Sequence, residues 1–192
     1  KILSDTSVII SEGEVLEISN DKNLEMNEDT YFQVINGKTA SLFSTACQVG
    51  GLSGGAKDNE LQALKSFGTN FGMTFQLIDD AIDYSSNLNT MGKNIGDDFK
   101  EGKITLPIIL AYGRSNDKEK QFWQKVISKP NGNVNNFNLA KELIIKYKCI
   151  EDTVVRARHF ADVAIDSLSI FNDSKYKNAL IKLIETSVKR LS

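Results

Sequence analysis

Apolar positions recur at helical spacing through almost the whole chain, and breakers are sparse: the sequence has only two prolines, Pro107 and Pro130. That pattern predicts a nearly all-α protein with one compact helical bundle over residues 1–192. The first helix is expected from about Ile2 to Ile18. Val8, Ile9, Val15 and Leu16 would form its apolar stripe, with Glu12, Glu14 and Glu17 as polar positions beside it. A second helix reads from about Glu28 to Val49, capped by Asn27 or Asp29 and ended by Gly50-Gly51. A third runs from about Asn59 to Tyr84, roughly 40 Å at about 1.5 Å per residue. Ser85 to Gly102 reads as a polar, glycine-containing loop. A new helix is expected near Thr105, with Pro107 in its first turn, where the missing N–H costs little. Shorter helices follow at about Asn116–Lys129 and Leu139–Lys148. They are separated by Lys129-Pro130-Asn131-Gly132-Asn133. Two last helices are expected at about Glu151–Phe171 and Tyr176–Leu191. No internal repeat and no β-hairpin signal is present.

Composition narrows the function classes. The 192 residues are 41% hydrophobic and 25% charged, with a formal net charge of −2. This is ordinary for a globular protein, and it supplies no basic field for nucleic acid. The apolar run Pro107 to Tyr112 is far short of a membrane span. Residues 1–20 carry charges throughout and lack the apolar stretch of a secretory leader. The expectation is therefore a cytoplasmic protein, with an upstream segment allowed for because the chain begins at Lys1. Cys47 and Cys149 match no metal or redox spacing and read as buried or incidental thiols. His159 has no partner motif.

The chemistry is concentrated in Phe75-Gln76-Leu77-Ile78-Asp79-Asp80-Ala81-Ile82-Asp83-Tyr84. Asp79, Asp80 and Asp83 have DDxxD spacing, which brings them to one side of a helix. A solvated acidic face is the ordinary reading of such a cluster. Here the carboxylates are embedded among apolar residues, where they need partners or a cation. Mg²⁺ is a hard cation that bridges carboxylates to substrate phosphates. Downstream, Met91 to Lys103 holds Gly92, Gly96 and Gly102 with Lys93, Lys100 and Lys103. Glycines allow close backbone approach and lysines act as point charges toward phosphate, although such a composition also suits a plain surface loop. Lys38-Thr39 lies mid-helix between Val34-Ile35 and Leu42-Phe43. It reads either as a snorkelling lysine or as a further phosphate contact. No GxxxxGK[ST] loop is present.

Taken in order, Lys38-Thr39, Phe75-Gln76-Leu77-Ile78-Asp79-Asp80-x-x-Asp83 and Gly92-Lys93-x-x-Gly96-Asp97-Asp98-x-x-Glu101-Gly102-Lys103-x-Thr105-Leu106-Pro107 resemble a trans-isoprenyl diphosphate synthase. The string is most similar to the long-chain polyprenyl diphosphate synthases of quinone biosynthesis, the octaprenyl type among them. Glu12-Gly13-Glu14-Val15-Leu16 also fits a helix of that family. The likeness is close over about residues 1–112 and general thereafter. It implies an isoprenoid synthase-type helical bundle with a central cavity. It implies that Asp79, Asp80 and Asp83 are the second aspartate-rich motif, binding Mg²⁺ that bridges to an allylic diphosphate. Lys38, Thr39, Gln76, Lys93 and Lys103 match positions that contact that diphosphate or support the metal site, with Asp97 an acid near Lys93. The expected reaction is head-to-tail condensation of isopentenyl diphosphate with the allylic diphosphate. The growing chain would lie where small residues of the first two helices leave room. A homodimer is implied, and insoluble long prenyl products leave peripheral membrane contact open.

The sequence departs from the family in one respect. The first aspartate-rich motif, and the basic residues that hold isopentenyl diphosphate, are absent upstream of Lys38. The chain resembles the C-terminal portion of a synthase that lacks N-terminal helices, and alone it is expected to be inactive or very weak. Two other readings are a non-catalytic subunit of a heteromeric synthase and a terpene cyclase of the same fold. The three retained aspartates argue against the first. The Gly92 to Pro107 string argues against the second.

Overall fold

The computed structural model describes residues 1–85, 96–128 and 133–191. Among them every regular element is helical: α1 (Ile2–Ser19), α2 (Glu28–Ile35), a π-helical turn (Asn36–Ala40), α3 (Ser41–Ser53), α4 (Asp58–Ile82), α5 (Asp97–Glu101), α6 (Leu106–Arg114), α7 (Asp117–Ser128), α8 (Val134–Lys146), α9 (Cys149–Ser167) and α10 (Lys175–Lys189). The all-α class is as expected. Lys93 and the segment around Pro130 lie outside the described residues.

The longest helix, α4, forms the axis. It starts where the Glu60 carboxylate accepts the Lys57 backbone N–H at 2.7 Å, and it packs along both α3 and α9. Its C-terminal half buries Met73, Leu77, Ile78 and Ile82 in the main core, together with Leu106, Ile108, Trp123, Ile127 and Ile144 from α6, α7 and α8. Its N-terminal half contributes Phe67 to a smaller cluster with Ala161, Ala164, Leu168 and Ile184. Each fully buried Leu or Ile side chain adds about 1.5–3 kcal/mol, so α4 is anchored at both ends. The site at its C-terminal end therefore rests on a rigid rod.

Three expectations are corrected. The second helix is not continuous: one π-helical turn separates α2 from α3 at Asn36–Ala40. The glycines expected to end it sit inside α3, which closes instead at Gly54, whose N–H donates to the Gly50 carbonyl at 3.0 Å. The stripe expected of α1 does not face inward, because Val8, Ile9 and Val15 are exposed while Thr6 and Gly13 are buried. The reason is steric. A Cβ on Gly13 would stand 2.7 Å from the Lys38 backbone nitrogen and 2.9 Å from the Gly37 carbonyl carbon. Backbone meets backbone here, and the absence of side chains at Gly13 and Gly37 fixes which face of α1 turns inward.

Candidate functional site

The π-helical turn and α4 place the first group of polar side chains. The Thr39 hydroxyl donates to Gln76 Oε1 across the α4 interface at 3.1 Å, and Gln76 Nε2 donates to Asp80 Oδ1 at 2.7 Å. Next to Thr39, the Lys38 ammonium is half-buried and pairs with two carboxylates of α1, Glu14 at 3.2 Å and Glu17. Burial works against the charge on Lys38, but the hydrogen bonds it donates to Glu17 and Glu14 outweigh it and raise its pKa. A π turn inserts one extra residue into a helix and re-aims the side chains beside it, and such turns recur at functional sites.

These residues line a cavity of about 500 Å³. Glu17, Ile18, Met26, Tyr31, Val34, Ile35, Lys38, Thr39, Gln76, Asp80, Lys103 and Ile104 are among its walls. Apolar side chains share this lining with acids, an amide and ammonium groups, a combination suited to a ligand with an apolar body and an anionic head.

The three aspartates have three different surroundings. Asp80 is fully buried and receives two hydrogen bonds: from Tyr31 Oη to Oδ2 at 2.6 Å and from Gln76 to Oδ1. Burial pushes its pKa up to about 7, and the charge of Asp98 adds to this. Lys103 and the Tyr31 and Gln76 hydrogen bonds pull the other way. Asp83 turns toward the start of α5, where its Oδ1 accepts the backbone N–H groups of Gly96 at 3.2 Å and Asp97 at 3.1 Å. Its Oδ2 is buried with no hydrogen-bond partner among the described residues. Burial first, then Asp98, raises its pKa to about 6. Asp79 receives Arg190 Nη2 from the end of α10 at 3.4 Å. Among the described residues no three His, Cys, Asp or Glu side chains converge as a metal cage.

The segment that carries Lys103 is shaped by two glycines. Gly96 (φ 81°) and Gly102 (φ 75°) take left-handed conformations on either side of the one-turn α5, which other residues adopt only with strain. The loop expected at this point thus contains a helical turn. Lys103 follows it and pairs with Asp98 at 3.4 Å. Burial opposes its charge, but Asp80 and Asp98 prevail and its pKa is raised.

Of the residues singled out in the sequence, Lys38, Thr39, Gln76, Asp80 and Lys103 meet at this one cavity. Asp79 and Asp83 are not among the lining residues: Asp79 precedes Asp80 on α4 and Asp83 stands at its C-terminal cap, and Asp97 pairs with Lys100 at 2.8 Å. Four participants were not singled out. Glu14 and Glu17 hold Lys38, Tyr31 holds Asp80, and Arg190 holds Asp79.

A helical bundle whose central rod ends in aspartates beside a half-apolar, lysine-bearing cavity is the architecture of the isoprenoid synthases. The model of the polyprenyl synthetase family matches residues 1–144, and the chain belongs to that family. It is 35% identical to the octaprenyl diphosphate synthase of Haemophilus influenzae over 98% of this chain and 57% of that protein. It is equally similar to that of Escherichia coli, over 99% of this chain and 58% of the relative. In structure it superposes on all of its length with a decaprenyl diphosphate synthase from Rhodobacter capsulatus (TM-score 0.92, 39% identity, 59% of that chain). A polyprenyl synthase from Caulobacter crescentus, solved with calcium and isoprenyl diphosphate, gives a TM-score of 0.93 at 39% identity over 100% of this chain and 58% of that one. The chain thus spans less than two thirds of the length of the relatives it matches. No helix among the described residues is long and apolar enough to cross a membrane.

Proposed function

We propose that this chain is the C-terminal part of a prenyltransferase, a long-chain polyprenyl diphosphate synthase, and carries one side of its diphosphate site. The observation that carries the reading is the convergence of Lys38, Thr39, Gln76, Asp80 and Lys103 on one cavity with an apolar wall. An allylic diphosphate fits that division: its anionic head against Lys38 and Lys103, its hydrocarbon against Ile18, Val34, Ile35 and Ile104.

The donor set fits Mg²⁺. It consists of carboxylate oxygens alone, as a hard cation requires, and Asp83 offers a buried oxygen without a partner. Asp79 would hold the ion, with Asp83 one turn further on the same helical face. Asp80, already hydrogen-bonded through both oxygens, would orient the site instead. When bound, Mg²⁺ offsets charge on the departing diphosphate. The chain's own part is to supply fixed positive charge. Lys103 is held ionised by Asp80 and Asp98. Lys38 exchanges Glu14 and Glu17 for diphosphate oxygens as the substrate enters. With that charge in place the allylic C–O bond ionises and diphosphate leaves, the isopentenyl double bond attacks the cation, and the released diphosphate takes up the proton that restores the double bond. By the family resemblance, Lys93 would add a further cation.

The reading also includes pairing with a second copy through the outward face of α1, where Val8 and Val15 are exposed. The decisive experiment compares this chain with the longer synthase that contains it. Supplied with Mg²⁺, an allylic diphosphate and labelled isopentenyl diphosphate, the 192-residue chain should form no polyprenyl product, whereas the longer protein should. In the longer protein Asp79→Ala and Lys38→Ala should each lower kcat by about 100-fold or more, the scale of losing a charge-stabilising group. Unchanged kinetics in both variants would overturn the assignment.

A further inference from the structure

Arg190 stands at the C-terminal end of α10, more than a hundred residues from the aspartates, yet its side chain is packed into their neighbourhood. Nη2 lies 3.4 Å from Asp79 Oδ1, and the two side chains are only 19% and 21% exposed. The guanidinium carbon sits 5.4 Å from the ring centre of Phe75, one helical turn before Asp79 on α4. Stacking on an aromatic face orients a guanidinium and adds cation–π attraction. Phe75 is itself braced by Phe43, ring centres 5.5 Å apart. The guanidinium is thus fixed in direction, beside the acid that the proposed function assigns to a cation.

Its remaining amino group does not complete the picture of a structural ion pair. Nη1 is buried and has no hydrogen-bond partner among the described residues. A settled structural arginine uses its donors, because a buried N–H without an acceptor is costly. Arg190 has a strong reason to be near Asp79, which is charge, but it is incompletely satisfied there.

We propose that Arg190 is a positioning residue that stands in for the metal ion at Asp79. Without a cation it holds the Asp79 carboxylate in place. A divalent cation displaces it, and the freed guanidinium then has donors for an anion such as the diphosphate. This rests on the reading that Asp79 binds a divalent cation. A positive charge beside a half-buried carboxylate, where salt screens poorly, opposes the arrival of a second positive charge. Removing it therefore strengthens cation binding, opposite to the effect of removing a ligand.

The test uses this chain and Mn²⁺, followed by electron paramagnetic resonance of the free ion. Asp79→Asn should abolish the binding seen in the wild type, and Arg190→Gln should bind about threefold tighter or more, a modest share of an ion-pair energy. Arg190→Lys, which keeps the charge, should stay within about twofold of wild type. A second measurement needs no variant. Amide hydrogen exchange in the last turn of α10 should speed up when Mg²⁺ is added, as the latch is released. Equal or weaker Mn²⁺ binding by folded Arg190→Gln, or slower exchange in α10 with Mg²⁺, would overturn the role of Arg190 while leaving the Asp79 site standing. Wild-type binding that Asp79→Asn does not change would remove the metal reading itself, and this role with it.

Discussion

Asp80 shows how much one side chain's environment changes the meaning of a motif. At about 100° per residue, Asp79 and Asp83 stand about 40° apart around α4, and Asp80 about 100° from Asp79. The triplet spacing was legible as a shared side of a helix. The finer division was not, because it depends on Tyr31, Gln76, Arg190 and the α5 backbone, three of which come from distant parts of the chain. Tyr31 is the partner with the clearest consequence. Its hydroxyl donates to Asp80 Oδ2 at 2.6 Å in the interior. Burial first, then the charge of Asp80, holds its pKa well above the ordinary tyrosine value, so the phenol keeps its proton and remains a donor. Tyr31→Phe conserves the ring and leaves Asp80 Oδ2 without that donor. Unfolding in denaturant should show a loss of about 1–3 kcal/mol, the cost of a buried acceptor left unsatisfied. A change below about 0.5 kcal/mol would mean that Asp80 finds another donor.

The elements were readable where periodicity alone decides them. The limits of α1, α4 and α7 fall within a few residues of the expected ones, and Pro107 sits in the first turn of α6 as anticipated. The Asn36–Ala40 turn was not readable, since Val34, Ile35, Leu42 and Phe43 continue an apolar pattern across it. What distinguishes the segment is a tertiary fact, the contact of Gly37 with Gly13. The same contact inverted the expected face of α1. Apolar spacing marked Val8, Ile9 and Val15 for the interior, and close backbone packing turned Thr6 and Gly13 inward instead. Because the contact also sets the height of Lys38 against Glu14 and Glu17, it couples packing to the site. In Gly13→Ala the new methyl group would stand 2.7 Å from the Lys38 backbone nitrogen, and backbone cannot rotate away as a side chain would. The variant should lose about 1–3 kcal/mol of stability by overpacking. Better helix propensity returns less than about 1 kcal/mol of this. A thermal melt unchanged or raised by Gly13→Ala would show that α1 can shift without cost.

At the scale of the molecule, the inversion of α1 leaves a surface that the bundle does not use. Ser4, Val8, Ser11 and Val15 are all exposed, and their spacing of four, three and four places them on one ridge of α1. Glu12, four residues after Val8 and three before Val15, borders this ridge, whereas Glu14 and Glu17 are engaged with Lys38. An uncharged ridge of small and β-branched residues is self-complementary, and the same patch on a second copy can meet it about a two-fold axis. Each copy then covers apolar side chains that now face water. Light scattering over rising concentration should therefore give a mass approaching twice the 21.3 kDa of one chain. Val8→Lys combined with Val15→Lys would put like charges into the contact from both copies. That variant should remain at the mass of one chain. Its melting temperature at low concentration should stay close to wild type, because exposed substitutions change stability by less than about 0.5 kcal/mol each. A wild-type mass that stays at one chain throughout, or a lysine variant that associates as before, would show that this ridge does not join two copies.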